Sequence, residues 1–173
     1  MEESNPQPGQ DEDRERRLAP GNPWPVDIDV YLYDDTDPDG FEIVSTLPID
    51  SSDPNDPLLI FENKGRPGFK LLFHLHDQTG KGYRFPDAAD DAVWSVIDES
   101  ACPTEESHAV FKPLRVRENG TLLVVENGND KKNGEPIGHF RYTLNVSTTG
   151  RAPYLPLDPG GVDQNGPRTV RFK

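Results

Sequence analysis

The stretch Phe69-Lys-Leu-Leu-Phe-His-Leu-His-Asp77 alternates apolar and polar residues over most of its length. Successive side chains of an extended chain point to opposite faces, so this period of two is typical of a half-buried β-strand. The alternation divides the side chains into an inner set, Phe69, Leu71, Phe73 and Leu75, and an outer set, Lys70, His74 and His76. The rest of the chain repeats the pattern without a comparable helical segment, which predicts an all-β fold.

Short apolar runs separated by Gly, Pro, Asn and Asp extend this pattern in both directions. The predicted strands besides Phe69–Asp77 are Val26–Tyr33, Phe41–Val44, Leu58–Phe61, His108–Val116, Thr121–Glu126, Gly138–Val146 and Arg168–Phe172. Glu118-Asn119-Gly120 separates two of them and contains Asn-Gly, the strongest short hairpin signal. Leu122–Val125 is apolar on both faces, which indicates a strand that is buried on both sides.

Seven or eight strands of this kind predict an antiparallel β-sandwich of jelly-roll or immunoglobulin-like topology, with at most one short helix. The helical candidate lies within Pro86–Ile97, where Asp87 would cap the first turn. In that segment Trp94 is expected to fill the core rather than to mark a helix face.

Length and charge indicate how the chain is divided into domains and which classes of partner are excluded. With 173 residues, we expect a disordered acidic tail over residues 1–22 and one β-sandwich domain over residues 23–173. The 31 acidic and 18 basic residues give a net charge of −13, which argues against nucleic acid and anionic membranes as partners. Neither a secretory signal nor a membrane-spanning apolar run is found, so we expect a cytoplasmic protein.

Several short motifs carry a family resemblance. They are, in order, Phe85-Pro86, Trp94, Cys102-Pro103, Leu122–Asn127, His139–Leu144, Leu157-Asp158-Pro159 and Gln164-Asn165-Gly166. Together they resemble a group of small uncharacterised bacterial β-sandwich proteins, over residues 58–166. The resemblance implies a β-sandwich and no particular activity.

The segment Asp35-Thr-Asp37-Pro-Asp39-Gly40 is the most suggestive metal motif. Carboxylates at alternate positions before a Gly are how calcium loops collect oxygen ligands. The twelfth position of an EF-hand would need Glu and holds Thr46, so an EF-hand is excluded. A calcium loop within a β-hairpin and an ordinary acidic turn both remain as interpretations.

His74 and His76 project from one face of the predicted strand, as metal ligands in cupins do. Gly68 and the His-x-His pair fit the opening of the cupin pattern, but Gly80 and Lys81 stand where its metal-binding Glu is expected. The two interpretations are a cupin-like metalloenzyme and two histidines on the outer surface of a sheet.

Tyr31 and Tyr33 share the outward face of the first strand with Asp27 and Asp29, and Trp24 precedes them. Aromatic rings beside carboxylates are how carbohydrate-binding modules stack on sugars and hydrogen-bond to them. The alternative is that the tail or a partner covers these rings.

Catalytic patterns are weak by comparison. Cys102 has no neighbouring Lys, Arg or His in sequence to activate it, and no G-x-S-x-G motif occurs. We therefore expect a non-enzymatic binding module whose partner is a protein, a carbohydrate or a second copy of the chain. A calcium-dependent carbohydrate-binding module and a cupin-like metalloenzyme are the alternatives, and calcium is the candidate cofactor.

Overall fold

A computed structural model describes residues 24–50, 58–62, 68–97, 102–127, 131–132, 135–136, 138–158 and 160–164. Nearly all regular structure in this part of the chain is β-strand. The strands are β1 Trp24–Leu32, β2 Phe41–Ser45, β3 Ile49–Asp50, β4 Leu58–Glu62, β5 Phe69–Asp77, β6 Val93–Ile97, β7 Phe111–Arg117, β8 Leu122–Asn127, β9 Lys131–Lys132, β10 Glu135–Pro136, β11 Gly138–Val146, β12 Leu155–Leu157 and β13 Gly160–Gln164. One α-helical turn, α1 (Ala89–Ala92), and one 3₁₀ turn, Glu118–Gly120, are also described.

The first sheet has five strands in the order β2-β1-β5-β8-β7. Strands β1 and β5 run parallel over nine paired positions, from Trp24 opposite Phe69 to Leu32 opposite Asp77. The other neighbouring strands are antiparallel. Glu118–Gly120 joins β7 to β8, with Asn119 in the left-handed backbone region at φ 56°, so the predicted hairpin is confirmed.

The second sheet is centred on β11. Along one edge β11 pairs with β6, and along the other it pairs with β13 and then with β12. Strand β13 continues the sheet by pairing in parallel with β4, and β3 pairs with β4 at the edge. A separate two-stranded hairpin is formed by β9 and β10.

The main core lies between the two sheets, in a sandwich-like arrangement. Its centre is an aromatic cluster of fully buried rings, Phe73, Phe111, Phe140 and Tyr142, with centroids 4.8–6.3 Å apart. A smaller buried cluster, Leu72, Leu122 and Val124, lies on the other face of the first sheet. Strand β8 contributes to both clusters, so the prediction that Leu122–Val125 is buried on both sides is confirmed.

The mostly-β, two-sheet architecture is confirmed, and several details differ from the expectation. The predicted fully antiparallel arrangement is wrong at two pairs, β1 with β5 and β4 with β13, which are parallel. The helix is a single turn whose N-cap residue is Ala88, so Asp87 does not cap it. It ends after one turn where β-branched Val93 begins strand β6. The expected tail and the predicted strand Arg168–Phe172 lie outside the described residues.

Candidate functional site

A pocket of about 260 Å³ lies on the outer face of the second sheet. Side chains of β11 alternate between the core, where Tyr142 and Leu144 lie, and the outer face, where Thr143 and Asn145 lie. The register sets Thr143 opposite Trp94 and Asn145 opposite Pro156. The described lining residues are Trp94, Pro103, Thr104, Thr143, Asn145, Tyr154, Pro156 and Asp158. Three strands and the segment that follows Cys102 therefore build the site together.

Two buried polar side chains, Thr143 and Asn145, form part of its lining. Each is only 1% exposed although it faces away from the main core. The Thr143 hydroxyl lies 2.7 Å from the Pro103 carbonyl oxygen and 2.9 Å from Oδ1 of Asp158. The Asn145 amide nitrogen donates a 2.8 Å hydrogen bond to the Asp91 carbonyl oxygen in α1. These bonds hold both side chains in one orientation at the pocket.

The aromatic lining residues, Trp94 and Tyr154, are anchored to α1 by their polar ends. The Trp94 indole Nε1 donates to the Asp90 carbonyl oxygen at 3.1 Å, and the Tyr154 hydroxyl lies 3.3 Å from Oδ2 of Asp91. Desolvation and the adjacent Asp91 carboxylate raise the pKa of Tyr154 above its ordinary value. Tyr154 therefore stays protonated and neutral at physiological pH.

Trp94 was expected in the core, and this expectation is wrong. Val93 and Ser95, its neighbours in β6, are fully buried, whereas Trp94 is half-buried and lines the outer pocket. Ser95 takes an inward position because its hydroxyl accepts hydrogen bonds from the backbone N–H groups of Val110 and Phe111. The sequence gives no signal for this arrangement, because Val93 and Trp94 are both apolar and a polar Ser95 is normally expected on the outer face.

The rings predicted to bind sugar lie on the outer face of the first sheet. Tyr31 stacks on His76 with centroids 4.5 Å apart and lies parallel to Tyr33 at 6.2 Å. The Tyr33 hydroxyl donates to Glu42 at 3.1 Å, and desolvation and this hydrogen bond raise the pKa of Tyr33. The structure thus brings Tyr31, Tyr33 and His76 into one row of rings. Trp24 begins β1, and its side chain lies outside the described part of the structure.

The two histidines predicted as metal ligands each pair with a carboxylate of the parallel neighbour β1. His74 Nε2 lies 2.8 Å from Asp27 Oδ1, and His76 Nε2 lies 2.8 Å from Asp29 Oδ1. Both histidines are part-buried, and they form two successive His–Asp pairs along the strands. In the described segments no group of three or more His, Cys, Asp or Glu side chains is arranged to hold a metal ion. The cupin interpretation stays a prediction.

The acidic segment after β1 forms a turn in which the carboxylates accept hydrogen bonds from different groups. Asp35 accepts hydrogen bonds from Lys81 and from the Tyr83 hydroxyl, both at 2.7 Å. These bonds lower the pKa of Asp35. The hydrogen bond between Tyr83 and Asp35, together with desolvation, raises the pKa of Tyr83 to about 12. Asp37 accepts from the backbone N–H of Asp39. Asp35, Asp37 and Asp39 belong to no metal-binding group within the described residues, and the calcium interpretation stays a prediction.

No family model matches the chain, and no curated protein matches it either. The resemblance to uncharacterised bacterial β-sandwich proteins therefore stays a prediction. None of the helices in the described ranges is long and apolar enough to cross a bilayer.

Proposed function

We propose that the chain is a non-enzymatic β-sandwich module that binds a protein partner through the pocket lined by Trp94 and Tyr154. One observation carries this proposal: a concave site combines apolar and aromatic lining with two fixed polar side chains. Small-molecule sites have this composition, with a few polar groups that orient the ligand, and we infer that the same arrangement serves a side chain of a partner protein.

The groups at the pocket favour binding over catalysis. The Thr143 hydroxyl is directed at Pro103 and Asp158, and no His or Lys is among the described lining residues. His and amines are the bases that commonly activate a hydroxyl nucleophile. The two His–Asp pairs lie on the first sheet and are not part of this pocket.

A random peptide library displayed on phage and panned against the immobilised full chain would test this proposal. We expect enriched peptides to lose binding to Trp94→Leu and to retain it with Tyr33→Ala, a matched aromatic deletion on the first sheet. Peptides that bind both variants equally would contradict the pocket as the binding site. Robust turnover in a screen of hydrolase and oxidoreductase substrates would contradict a non-enzymatic role.

A carbohydrate partner is the second candidate, favoured by the ring row of Tyr31, Tyr33 and His76 beside Asp29 and Glu42. Calcium-dependent binding through the acidic turn belongs to this candidate, and self-association through the same face is the alternative to it. A glycan array would test it, with binding that is lost in Tyr31→Ala. We further propose a cytoplasmic location, a jelly-roll or immunoglobulin-like topology, and partners other than nucleic acid or membrane.

A further inference from the structure

We propose that the pocket receives the guanidinium group of an arginine side chain from the partner protein. This inference rests on the proposed function and specifies the chemistry that the pocket selects. It is argued from the hydrogen-bonding capacity, the charge and the apolar lining of the described residues.

Hydrogen-bond acceptors at the pocket outnumber the protons available to them. The Thr143 hydroxyl has one proton and lies within hydrogen-bond distance of two acceptors, the Pro103 carbonyl oxygen at 2.7 Å and Asp158 Oδ1 at 2.9 Å. A hydroxyl can donate to only one of them at a time. The Asp158 carboxylate also has a second oxygen, and Asp158 is exposed at the pocket. A ligand that donates several hydrogen bonds would satisfy these oxygens.

The donors at the pocket are largely used within the protein. The indole N–H of Trp94, the amide nitrogen of Asn145 and the hydroxyl of Tyr154 are all bonded to oxygens of α1. The side-chain oxygen Oδ1 of Asn145 accepts no hydrogen bond from the described part of the chain. The pocket is therefore matched to a ligand that donates hydrogen bonds and accepts few.

The charge around the pocket favours a cation. Asp158 lines it, Asp91 lies behind Tyr154, and none of the described lining residues is basic. Arg141 occupies the same face of β11 two residues before Thr143, but it is not among the lining residues. The whole chain carries a net charge of −13, which would attract a basic segment of a partner.

The apolar lining selects guanidinium among the cations. Trp94, Tyr154, Pro103 and Pro156 present aromatic and aliphatic surface. A lysine ammonium is strongly hydrated, whereas guanidinium is weakly hydrated, planar, stacks on aromatic rings and carries five N–H donors. A quaternary ammonium would stack equally well but would leave the acceptors unpaired. The volume of about 260 Å³ is below the range of about 300–1,000 Å³ typical of drug-sized ligands, which suits a single side chain.

The test uses the full chain and three peptides that differ at one residue, acetyl-Gly-Gly-Xaa-Gly-Gly-amide with arginine, lysine or citrulline at Xaa. Citrulline keeps the shape of arginine and lacks its charge. Titration followed by the indole ¹⁵N–¹H resonance, assigned to Trp94 with Trp94→Phe, should show that the arginine peptide binds about tenfold or more tighter than citrulline. Asp158→Asn should weaken binding of the arginine peptide about tenfold, whereas Asp37→Asn, an equal charge change in the turn between β1 and β2, should leave it unchanged.

Equal binding of arginine and citrulline, equal binding of arginine and lysine, or an unchanged affinity in Asp158→Asn would overturn the inference. Panned peptides that need Trp94 but lack arginine would overturn it while leaving the proposed function intact. If no peptide binding depends on Trp94, both fall. Free arginine amide that binds as tightly as the peptide would overturn the assignment to a partner protein and indicate a small guanidino compound instead.

Discussion

Replacing Tyr142 by phenylalanine should stabilise this protein. Tyr142 lies at the centre of the aromatic cluster, its side chain is fully buried, and its ring centroid is 4.8 Å from that of Phe111. Its hydroxyl has no hydrogen-bond partner among the described residues. The hydroxyl has therefore given up its hydrogen bonds to water without replacement, while the ring supplies the packing that holds the two sheets together.

The expected gain follows from opposing contributions. An unsatisfied buried polar group costs about 1–3 kcal/mol, and phenylalanine removes that cost. The lost van der Waals contacts of the oxygen and the small void that remains offset this gain by roughly 1 kcal/mol, since each atom pair at contact contributes about 0.1–0.2 kcal/mol. We therefore expect Tyr142→Phe to raise the free energy of unfolding by about 1 kcal/mol.

Urea unfolding followed by circular dichroism at pH 7 would measure the change, and Tyr83→Phe is the matched control. The Tyr83 hydroxyl donates to Asp35 at 2.7 Å, so the same chemical deletion there should destabilise the protein. Opposite signs for the two variants would support the reasoning. A loss of stability in Tyr142→Phe would refute it, because it would mean that the hydroxyl forms a hydrogen bond worth more than its burial costs.

Alkaline pH gives a second measure of the same hydroxyl. Burial raises the pKa of Tyr142, so its protonated form is favoured in the folded state. The stability that this contributes is complete below the unfolded pKa of about 10 and is lost as the pH rises toward the folded pKa. Above pH 10 the advantage of Tyr142→Phe over the natural chain should grow by about 1.4 kcal/mol per pH unit. A constant difference would contradict the burial of an ionisable hydroxyl.

Two further substitutions test the loops of the first sheet. Desolvation tends to raise the pKa of Asp77, but hydrogen bonds from Thr79 and two backbone N–H groups outweigh it and lower the pKa overall. Asp77→Asn should therefore lower the free energy of unfolding by about 1–2 kcal/mol at pH 7. Because the variant lacks this carboxylate, its free energy of unfolding should also fall less steeply than that of the natural chain below about pH 4. Urea unfolding measured across pH would test this, and an unchanged acid profile would contradict it. Gly40→Ala would place a Cβ in steric overlap with the Asp34 backbone carbonyl oxygen. It should lower the free energy of unfolding by about 1–3 kcal/mol, and an unchanged thermal midpoint would show that the turn rearranges to accommodate the methyl group.

The sequence predicts those strands whose side-chain pattern is set by one buried face. Phe69–Asp77 and Gly138–Val146 have the predicted bounds, because each places alternate side chains in the core between the sheets. Strand β6 was missed because it is preceded by a helical turn of Ala and Asp residues. Strand β12 was missed because it spans only three residues, which is too short for a period of two to be recognised.

Strand direction was not available from the same pattern. An inner and an outer face are compatible with either a parallel or an antiparallel neighbour, since alternation depends on the strand alone. Parallel pairing of β1 with β5 sets Asp29 opposite His74 and Tyr31 opposite His76. Each histidine then pairs with the aspartate two residues before its direct neighbour, His74 with Asp27 and His76 with Asp29, and Tyr31 stacks on His76. The sequence predicted these residues on the outer face but not as partners of one another.

The pocket could not be predicted from the sequence. Its lining comes from β6, from β11, from the residues around Pro103 and from those around β12, which only the second sheet brings together. A polar residue at an outward position of a strand is normally solvated, yet Thr143 and Asn145 are buried on that outer face. Burial of this kind requires either hydrogen-bond partners or a ligand. The described residues supply partners for the Thr143 hydroxyl and the Asn145 amide nitrogen, and only one of the two oxygens beside Thr143 can receive its proton at a time. The excess of acceptors over donors at the pocket, rather than any sequence motif, therefore favours a ligand that donates hydrogen bonds at this position.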